Sequence, residues 1–511
     1  MTTLNRFKFK ARFAPCWAIG VITMITTISF PSVADIKSGE DAVAMRPCSS
    51  HGGNGVEETR MIGCNGRSHL TGEELFKLPF PGAKNERACS SCHVPEDNFT
   101  LTPAHVEKVL AENPADPLFA AIDADDPTAT PLTFEHLKKG LIRVWLTLPD
   151  KMDLIDAAGN VTTPTDRKIF VWRSVPSIAD AALTKPYQLD GRVATLEEQA
   201  QGAINGHSEG GTAPKSELKR IAQFESTVFS SNRAHFVAKL LARGVPSEKI
   251  PDVEKALRLS PQEARGKEMF EAVCASCHGG PAKTSIKNRV VHDMAFPALK
   301  PDGTVIFPPV PPDESNQGFV LPVYASQPNN EFINIGSAYE NHLAHIGATE
   351  HVSFTRDLSF PQYRFRFYKD ATKAEIVAEL PPMLPRDPEQ PDNLLLLVRD
   401  ENGNFILGPN QGAQLYSTDP GRAAITGNPY DFEAFDILTL RGISKTAPYW
   451  HNNISATLLD VVELYSDHLL SKFPTLIQPG EKETDPDGDI GPEQTMTRQQ
   501  KDDLVAYLKR L

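Results

Sequence analysis

Two short segments of the sequence each place two thiols and an imidazole close together. They are Cys89-Ser90-Ser91-Cys92-His93 and Cys274-Ala275-Ser276-Cys277-His278. Both have the form Cys-x-x-Cys-His, in which two thiols can add across the vinyl groups of a porphyrin while the histidine binds its iron. The pattern therefore predicts two covalently bound haem c groups. Their attachment residues are Cys89, Cys92, Cys274 and Cys277, and their iron ligands are His93 and His278.

Other uses of paired cysteines explain the pattern less well. A zinc ribbon needs two Cys-x-x-Cys pairs near each other, whereas these begin at positions 89 and 274, a separation of 185 residues. Neither a zinc site nor a thioredoxin-like redox pair accounts for a histidine that follows both times.

The sixth coordination position decides what a haem with one histidine ligand can do. A filled position is typical of an electron carrier, whereas an open one binds peroxide or oxygen. Cleavage of peroxide also needs an acid–base group that moves a proton from the nearer oxygen to the farther one. The sequence must supply that group if the protein is a catalyst.

Charge and composition restrict the partners. The 511 residues include 52 Lys and Arg against 65 Asp and Glu, for a formal net charge of −13. This balance argues against nucleic acid and against a surface that lies on anionic lipid. We expect the partner to be a small molecule or a basic protein.

The first 34 residues have the pattern of a cleavable secretory signal. Four basic residues precede an apolar stretch over 17–30, and Ser32-Val33-Ala34 follows. The signal predicts export to a bacterial periplasm, where Cys48 and Cys64 would form a disulfide. The alternative is a retained membrane anchor, but the stretch is short and interrupted by polar residues. No later stretch is long and apolar enough to span a bilayer, so we expect no stable membrane insertion.

The elements that position the two haems are predicted to be helices. The 42 prolines and 33 glycines indicate many turns, and a helix-like segment with an apolar face precedes each Cys-x-x-Cys-His, at 72–76 and 264–270. We predict a mainly α fold with two cytochrome-c-like domains, 35–255 and 256–511, and long loops.

The second domain is predicted to contain an insertion. Residues from about 281 to 408 are rich in proline and lack periodicity, apart from β-like runs at 363–368 and 394–398. We expect loops and small strands there. A final helix over about 497–511 has an apolar stripe that should pack on the second haem domain.

Three further blocks of sequence resemble a known family. They are SVPSIADA at 174–181, LDGRVATLEEQ at 189–199 and LRGISKTAPYWH at 440–451. Together with both haem-attachment segments, they resemble in sequence and order the bacterial di-haem cytochrome c peroxidases and their relative MauG. The resemblance implies that the amino-terminal haem reacts with peroxide and that the carboxy-terminal haem transfers electrons.

The resemblance also implies two distal residues at the first haem. Counted from Leu189, the family register places them at Gln199 and Glu209. A carboxylate beside an open iron is the group that acid–base cleavage of peroxide needs. Without the resemblance to the family, the sequence around Glu209 would indicate only a solvent-exposed carboxylate in a loop. His207 is a second candidate for the same work, or for a sixth ligand.

At the second haem the resemblance places the sixth ligand at Tyr465. The cytochrome c peroxidases have Met at this position, whereas MauG has Tyr. A phenolate stabilises oxidised iron, whereas a thioether favours the ferrous form. Because Tyr465 also falls on an apolar helical stripe, a core aromatic is the alternative, with Met383 and Met294 as other ligands.

The chain departs from the family in three respects. Leu189 replaces a Trp that lies between the haems; the aromatic residues that could substitute are Trp145, Trp172, Tyr187 and Trp450. Residues 164–170 contain no His, so we expect the first haem to be always open. A calcium site between the domains would use Thr446 and Pro448, together with Ser174, which stands at a position where the family has Asn.

These inferences predict a periplasmic oxidoreductase that reduces hydrogen peroxide. Its electrons would come from a small cytochrome c, a copper protein or another oxidisable protein, as in MauG-like oxidation of a protein substrate. One alternative is a di-haem electron carrier without catalysis. The other is an oxygenase resembling the di-haem rubber-cleaving enzymes, with the insertion as a substrate tunnel.

Overall fold

The computed structural model describes residues 67–156, 158–284, 359–380, 417–433, 435–466 and 496–511, and the backbone of five two-residue strands between 298 and 414. All of them belong to one compact unit, residues 65–511. The predicted signal sequence, Cys48, Cys64 and Met294 lie outside the described residues. So do the side chain of Met383 and the predicted run at 394–398.

The described residues form a mixed architecture of helices with some strands. The helices are α1 (Gly72–Lys77), α2 (Pro103–Glu112), α3 (Glu135–Lys138), α4 (Leu196–Gly206), α5 (Lys215–Glu225), α6 (Asn232–Ala242), α7 (Pro261–Met269), α8 (Ala275–His278), α9 (Ala423–Thr426), α10 (Leu458–Leu464) and α11 (Arg498–Leu508). The strands are β1 (Leu141–Thr147), β2 (Met152–Leu154), β3 (Lys168–Ser174), β4 (Ala298–Leu299), β5 (Val305–Ile306), β6 (Phe332–Ile333), β7 (Phe365–Tyr368), β8 (Ile376–Leu380), β9 (Met383–Leu384), β10 (Ala413–Gln414) and β11 (Phe435–Asp436).

Local sequence explains where several helices begin. Thr71, Thr195 and Ser260 each accept a hydrogen bond from the third residue of the helix that follows, and that residue is a glutamate that binds back. These capping boxes satisfy amide groups that have no partner inside the helix. The helices α1, α4 and α7 are thereby fixed at their amino-terminal ends.

Two pairs of helices cross in the same way. A Cβ atom at Gly72 of α1 would overlap the carbonyl oxygen of Arg220 in α5, and one at Gly266 of α7 would overlap that of Asp503 in α11. Glycine is needed at both positions because the backbones touch. Both segments of the predicted repeat are therefore helices, and each packs against a helix that comes later in the chain.

The strands are not confined to the predicted insertion. β1 pairs with β3 in an antiparallel ribbon that places Leu141 opposite Ser174. β2, β7 and β8 form a three-stranded antiparallel sheet. Strands of the insertion thus pair with residues 152–154, far away in sequence, and share an apolar core with β1 and β3. The first four residues of β1 are all buried, so the strand lacks the alternation of apolar and polar residues that is typical of a half-buried strand. For this reason β1 was not predicted from the sequence.

None of the described helices combines the length and the apolar character needed to cross a membrane.

Candidate haem sites

The first attachment segment is a tight turn with both thiols partly buried. Cys89–Ser91 forms one turn of 3₁₀-helix, and the His93 amide donates to the Cys89 carbonyl at 3.0 Å. Burial raises the pKa of Cys89 to about 12 and that of Cys92 to about 11. A catalytic redox pair or a metal-binding pair needs a lowered thiol pKa.

His93 is held in the tautomer that an iron ligand needs. Its Nδ1 atom lies 3.1 Å from the carbonyl oxygen of Phe99. Because a carbonyl only accepts, Nδ1 must carry the proton, which leaves the lone pair of Nε2 available to iron. Burial lowers the pKa of His93, although the carbonyl groups of Phe99 and Pro176 oppose this. The residues around this segment therefore fit a haem.

The loop after α4 is fastened to the residues that lead into Cys89. Asn85 Nδ2 donates to the His207 carbonyl at 2.8 Å and lies 3.4 Å from Glu209 Oε2. The Ser208 hydroxyl donates to the Arg87 carbonyl at 3.2 Å. The structure thus brings Glu209 close to the first attachment segment, with its side chain exposed.

Gln199 lies on the same helix–loop unit, partly buried on α4. Glu209 has a φ of +51°. A left-handed conformation is unfavourable for glutamate, so the anchored neighbours must impose it. The loop is therefore built to place this residue rather than to let it move freely.

Sequence reasoning missed Arg87, which is fully buried beside this loop. Its guanidinium pairs with Asp123 and donates to the carbonyl oxygens of Pro117 and Leu118. The charges of Asp123 and Glu209 raise the pKa of Arg87 against the effect of burial. Arg87 therefore supplies a permanent positive charge near Glu209. Its position two residues before Cys89 was the only sequence signal.

His207 projects a neutral imidazole into the same region. Burial lowers its pKa to about 4, and the charge of Asp123 offsets only part of this. Its Nδ1 atom is buried and has no hydrogen-bond partner among the described residues. The electrostatic influence of His93 also reaches this ring.

The second attachment segment lies on the wall of a cavity of about 340 Å³. Cys274 and His278 line it, whereas the side chain of Cys277 lies outside the described residues. Burial lowers the pKa of His278 to about 4. Much of the wall is apolar, for example Val273, Leu440, Leu458, Val462, Leu504 and Leu508. A largely apolar cavity that includes the imidazole of His278 fits a haem.

Tyr465 lines the same cavity as His278. It follows the last residue of α10, is partly buried, and its ring centre lies 5.2 Å from that of Trp450. The residue also packs against the apolar cluster that includes Leu458 and Val462. The structure thus brings together the two side chains that the sequence proposed as axial ligands.

The three residues predicted to bind calcium border this cavity as well. The Ser174 hydroxyl donates to the Trp450 carbonyl at 2.9 Å, and that of Thr446 donates to the Ile443 carbonyl at 3.1 Å. Pro448 lies nearby in the same wall. The Ser174 contact joins the end of β3 to the segment around Trp450, whereas the Thr446 contact is local. Calcium stays a prediction.

Leu189 is buried against Phe435 at the edge of the same cavity. Of the aromatic residues that could substitute for the missing Trp, Trp450 borders the cavity, whereas Trp172 stacks on His136 with ring centres 4.3 Å apart. Trp145 is exposed. Trp450 is therefore the best placed of these three tryptophans to replace it.

The block that begins at Leu189 also has a structural role. Asp190 and Asp419 both pair with Arg173 at 2.6 Å, and Arg192 lies 2.8 Å from Asp190. Asp190 and Asp419 come from distant parts of the chain, so this buried cluster joins β3 to residues near α9. Part of the block is therefore explained by ion pairing rather than by catalysis.

A comparison with protein families agrees with the sequence blocks that lie within residues 68–243. Residues 68–243 match the sequence model of a family described as di-haem cytochrome c peroxidase. Among solved structures, a MauG-like protein associated with microbial copper homeostasis is 16% identical, with a TM-score of 0.34 over 86% of each chain. The diheme peroxidase BthA from Burkholderia thailandensis E264 is also 16% identical, with a TM-score of 0.30 over 86% of this chain and 84% of that one. A search of curated proteins found no match. Over residues 68–243 the chain thus matches the di-haem cytochrome c peroxidase family, which confirms the predicted resemblance and the prediction of an oxidoreductase.

Proposed function

We propose that the protein is a periplasmic di-haem peroxidase that reduces hydrogen peroxide at a haem held by Cys89, Cys92 and His93. Electrons enter through a second covalent haem, held by Cys274 and Cys277 and ligated by His278. The observation that carries the proposal is the anchoring of the 207–209 loop, with its acid–base side chains, onto the segment that leads into Cys89.

Two cytochrome-c-like domains, 35–255 and 256–511, form the framework of this proposal. The repeated helix crossing supports it, because α1 and α5 precede and follow the first attachment segment as α7 and α11 do the second. The strands of the insertion pair with the first half, so the boundary between the halves is not a simple cut in the sequence.

Haem, when bound, supplies an iron that binds peroxide and exchanges electrons. The chain supplies the rest of the chemistry. His93 offers Nε2 to the iron while the Phe99 carbonyl fixes the ring. The Glu209 carboxylate accepts the proton of the nearer peroxide oxygen and returns it to the farther one, with Gln199 as a hydrogen-bonding neighbour. Each peroxide takes up two electrons and two protons and gives two molecules of water.

Arg87 and Asn85 prepare Glu209 for this role. The guanidinium of Arg87 is paired with Asp123 near Glu209, and the Ser208 hydroxyl donates to the Arg87 carbonyl, which holds the loop at this place. The Asn85 amide holds the loop at two points. The carboxylate is therefore positioned before substrate arrives, which lowers the cost of ordering it during the reaction.

The second haem is assigned to electron entry. His278 and Tyr465 line one cavity, and a phenolate ligand from Tyr465 would favour the oxidised state of the iron. The net charge of −13 favours a donor protein with a basic face, either a small cytochrome c or a copper protein. An oxidisable protein side chain can serve as the source of electrons in the same way.

Two measurements test the proposal. Electron paramagnetic resonance of the resting ferric protein should show one high-spin haem, which is open, and one low-spin haem. Hydrogen peroxide added to the reduced protein should reoxidise it. Haem spectra that do not change would show that the protein is an electron carrier without catalysis. Oxygen uptake with a hydrophobic substrate and no reductant would instead favour an oxygenase.

A further inference from the structure

Glu225 is a buried carboxylic acid that the proposed chemistry does not use. It is the last residue of α5, is 3% exposed, and its Oε2 atom is buried without a hydrogen-bond partner among the described residues. An ionised carboxylate in such a place is costly unless it is paired or protonated. The position therefore needs an explanation beyond packing.

The repeated helix crossing shows what Glu225 faces. Phe224, four residues after the Arg220 carbonyl that touches Gly72, contacts Phe76 with ring centres 5.3 Å apart. In the second crossing, Tyr507 lies four residues after Asp503 and contacts Phe270 at 5.4 Å.

The next residue is Glu225 in the first crossing and Leu508 in the second. Leu508 lines the cavity that contains His278. By this correspondence, Glu225 occupies the position that borders the first haem site.

Contacts within the first half place Glu225 in the same region. The ring of Phe76 lies 6.2 Å from that of His93, and Cys89 packs against the cluster that contains Phe76 and Phe224. The charge of Glu225 is close enough to raise the pKa of Cys89. The helix end that carries this carboxyl is therefore beside the first attachment segment.

We propose that Glu225 is a proton-binding site of the first haem, which takes up a proton when that haem is reduced and releases it on oxidation. The inference rests on the haem attachment at Cys89, Cys92 and His93 in the proposed function. One electron from the donor protein and one proton from solvent arrive together. The proton binds a carboxylate oxygen of Glu225.

The charges around Glu225 are suited to this exchange. Its titratable neighbours are Glu197 on α4, Tyr187 and Cys89, and none of these carries a positive charge. Burial, and then the charge of Glu197, raise the pKa of Glu225 to about 8. The ferric state has one positive charge more than the ferrous state, so oxidation favours the carboxylate and reduction favours the acid.

The test is the reduction potential of each haem in the holoprotein between about pH 6 and about pH 10, a range that spans this pKa. In the parent protein, the potential of one haem should fall as pH rises, because reduction binds a proton. Glu225→Gln keeps the shape without the proton site, and Glu225→Leu installs the residue of the second crossing. Both should abolish the pH dependence and leave the other haem unchanged. Glu248→Gln, which removes one exposed charge, should retain the pH dependence of the potential.

Redox-difference infrared spectra should also show the carbonyl band of a protonated carboxyl that disappears in Glu225→Gln. A pH-independent potential in the parent protein, or an undiminished slope in either Glu225 variant, would overturn the proposal. If one variant fails to incorporate haem, the pH dependence of the potential in the other variant and in the parent protein tests the proposal. Absence of peroxide turnover at a fixed pH would refute the peroxidase function alone, since the slope is measured without peroxide.

Discussion

The backbone of Gly266 lies directly against the carbonyl group of Asp503, with no room for a side chain between α7 and α11. Gly72 and Arg220 have the same relationship in the first half of the chain. Because Glu225 and Leu508 lie at the ends of the second helices, α5 and α11, the close approach helps to set the depth at which both residues lie. The two glycines thus connect the packing of the helices with the shape of both candidate sites.

Replacement of Gly72 by Ala should therefore destabilise the protein. The new Cβ would meet main-chain atoms of α5, which cannot rotate away, so the helices must separate; overpacking of this kind costs roughly 1–3 kcal/mol. Gly202 is a matched control, because it also lies in a helix but has open space around a new Cβ. Gly202→Ala should be neutral or stabilising by up to about 1 kcal/mol. Denaturant unfolding of the two variants compares them, and equal stability would contradict the role of close packing.

The local features of this fold could be predicted from the sequence. The Cys-x-x-Cys-His segments predict the attachment residues, and the Gly and Phe spaced four apart at 72 and 76 recur at 266 and 270. The last helix follows from its apolar stripe and is observed at Arg498–Leu508. Each of these signals lies within one helical turn or one short motif, where neighbouring residues determine one another's conformation.

Long-range pairings could not be predicted in the same way. β2 pairs with β7 more than two hundred positions later, and Arg173 meets Asp419 across 246 residues. In both cases the sequence of one segment contains no pattern that predicts which distant segment it will contact. The buried pair of Arg87 and Asp123 is similar, since charged residues are mostly exposed and only the folded chain shows that these are not.

Glu209→Gln should slow peroxide reduction about a hundredfold or more, because it removes the proton acceptor and keeps the size of the side chain. The spectra of both haems should be unchanged. Glu248→Gln, at an exposed position, is the control for loss of one negative charge and should turn over normally. Stopped-flow measurement of peroxide consumption decides. If Glu209→Gln is as fast as its control, proton transfer occurs elsewhere, and His207 is the next residue to change.

Tyr465→Phe should change the ligation of the second haem. Loss of the phenol oxygen should convert a low-spin signal into a high-spin or differently ligated one in electron paramagnetic resonance. Tyr449 lines the same cavity, and its hydroxyl donates to the Ile443 carbonyl at 3.0 Å. Tyr449→Phe therefore removes a phenol from the same wall without touching the proposed ligand. An identical low-spin signal in both variants would rule out Tyr465 as a ligand.

Asp190→Asn should destabilise the protein and reduce its sensitivity to acid. Burial alone would raise the pKa of Asp190, but the charges of Arg173 and then Arg192 outweigh it and lower the value. A carboxyl whose folded-state pKa is lowered stabilises the fold above its unfolded value of about 4 and loses that stabilisation as pH falls through the folded value. Removing one partner of a buried ion pair costs on the order of 3 kcal/mol.

The control for Asp190 is Asp150, whose side chain is 81% exposed and lies 3.8 Å from Arg167. An exposed pair contributes little, so Asp150→Asn should change the free energy of unfolding by less than about 1 kcal/mol. Unfolding measured at neutral pH and then at decreasing pH below about 4 should show a large loss for Asp190→Asn at neutral pH that shrinks as pH falls, since acid neutralises the carboxylate of the folded parent only near its lowered pKa. A loss of equal size at all of these pH values would mean that the asparagine disturbs packing, and that the charge of Asp190 does not hold β3 to the segment around Asp419.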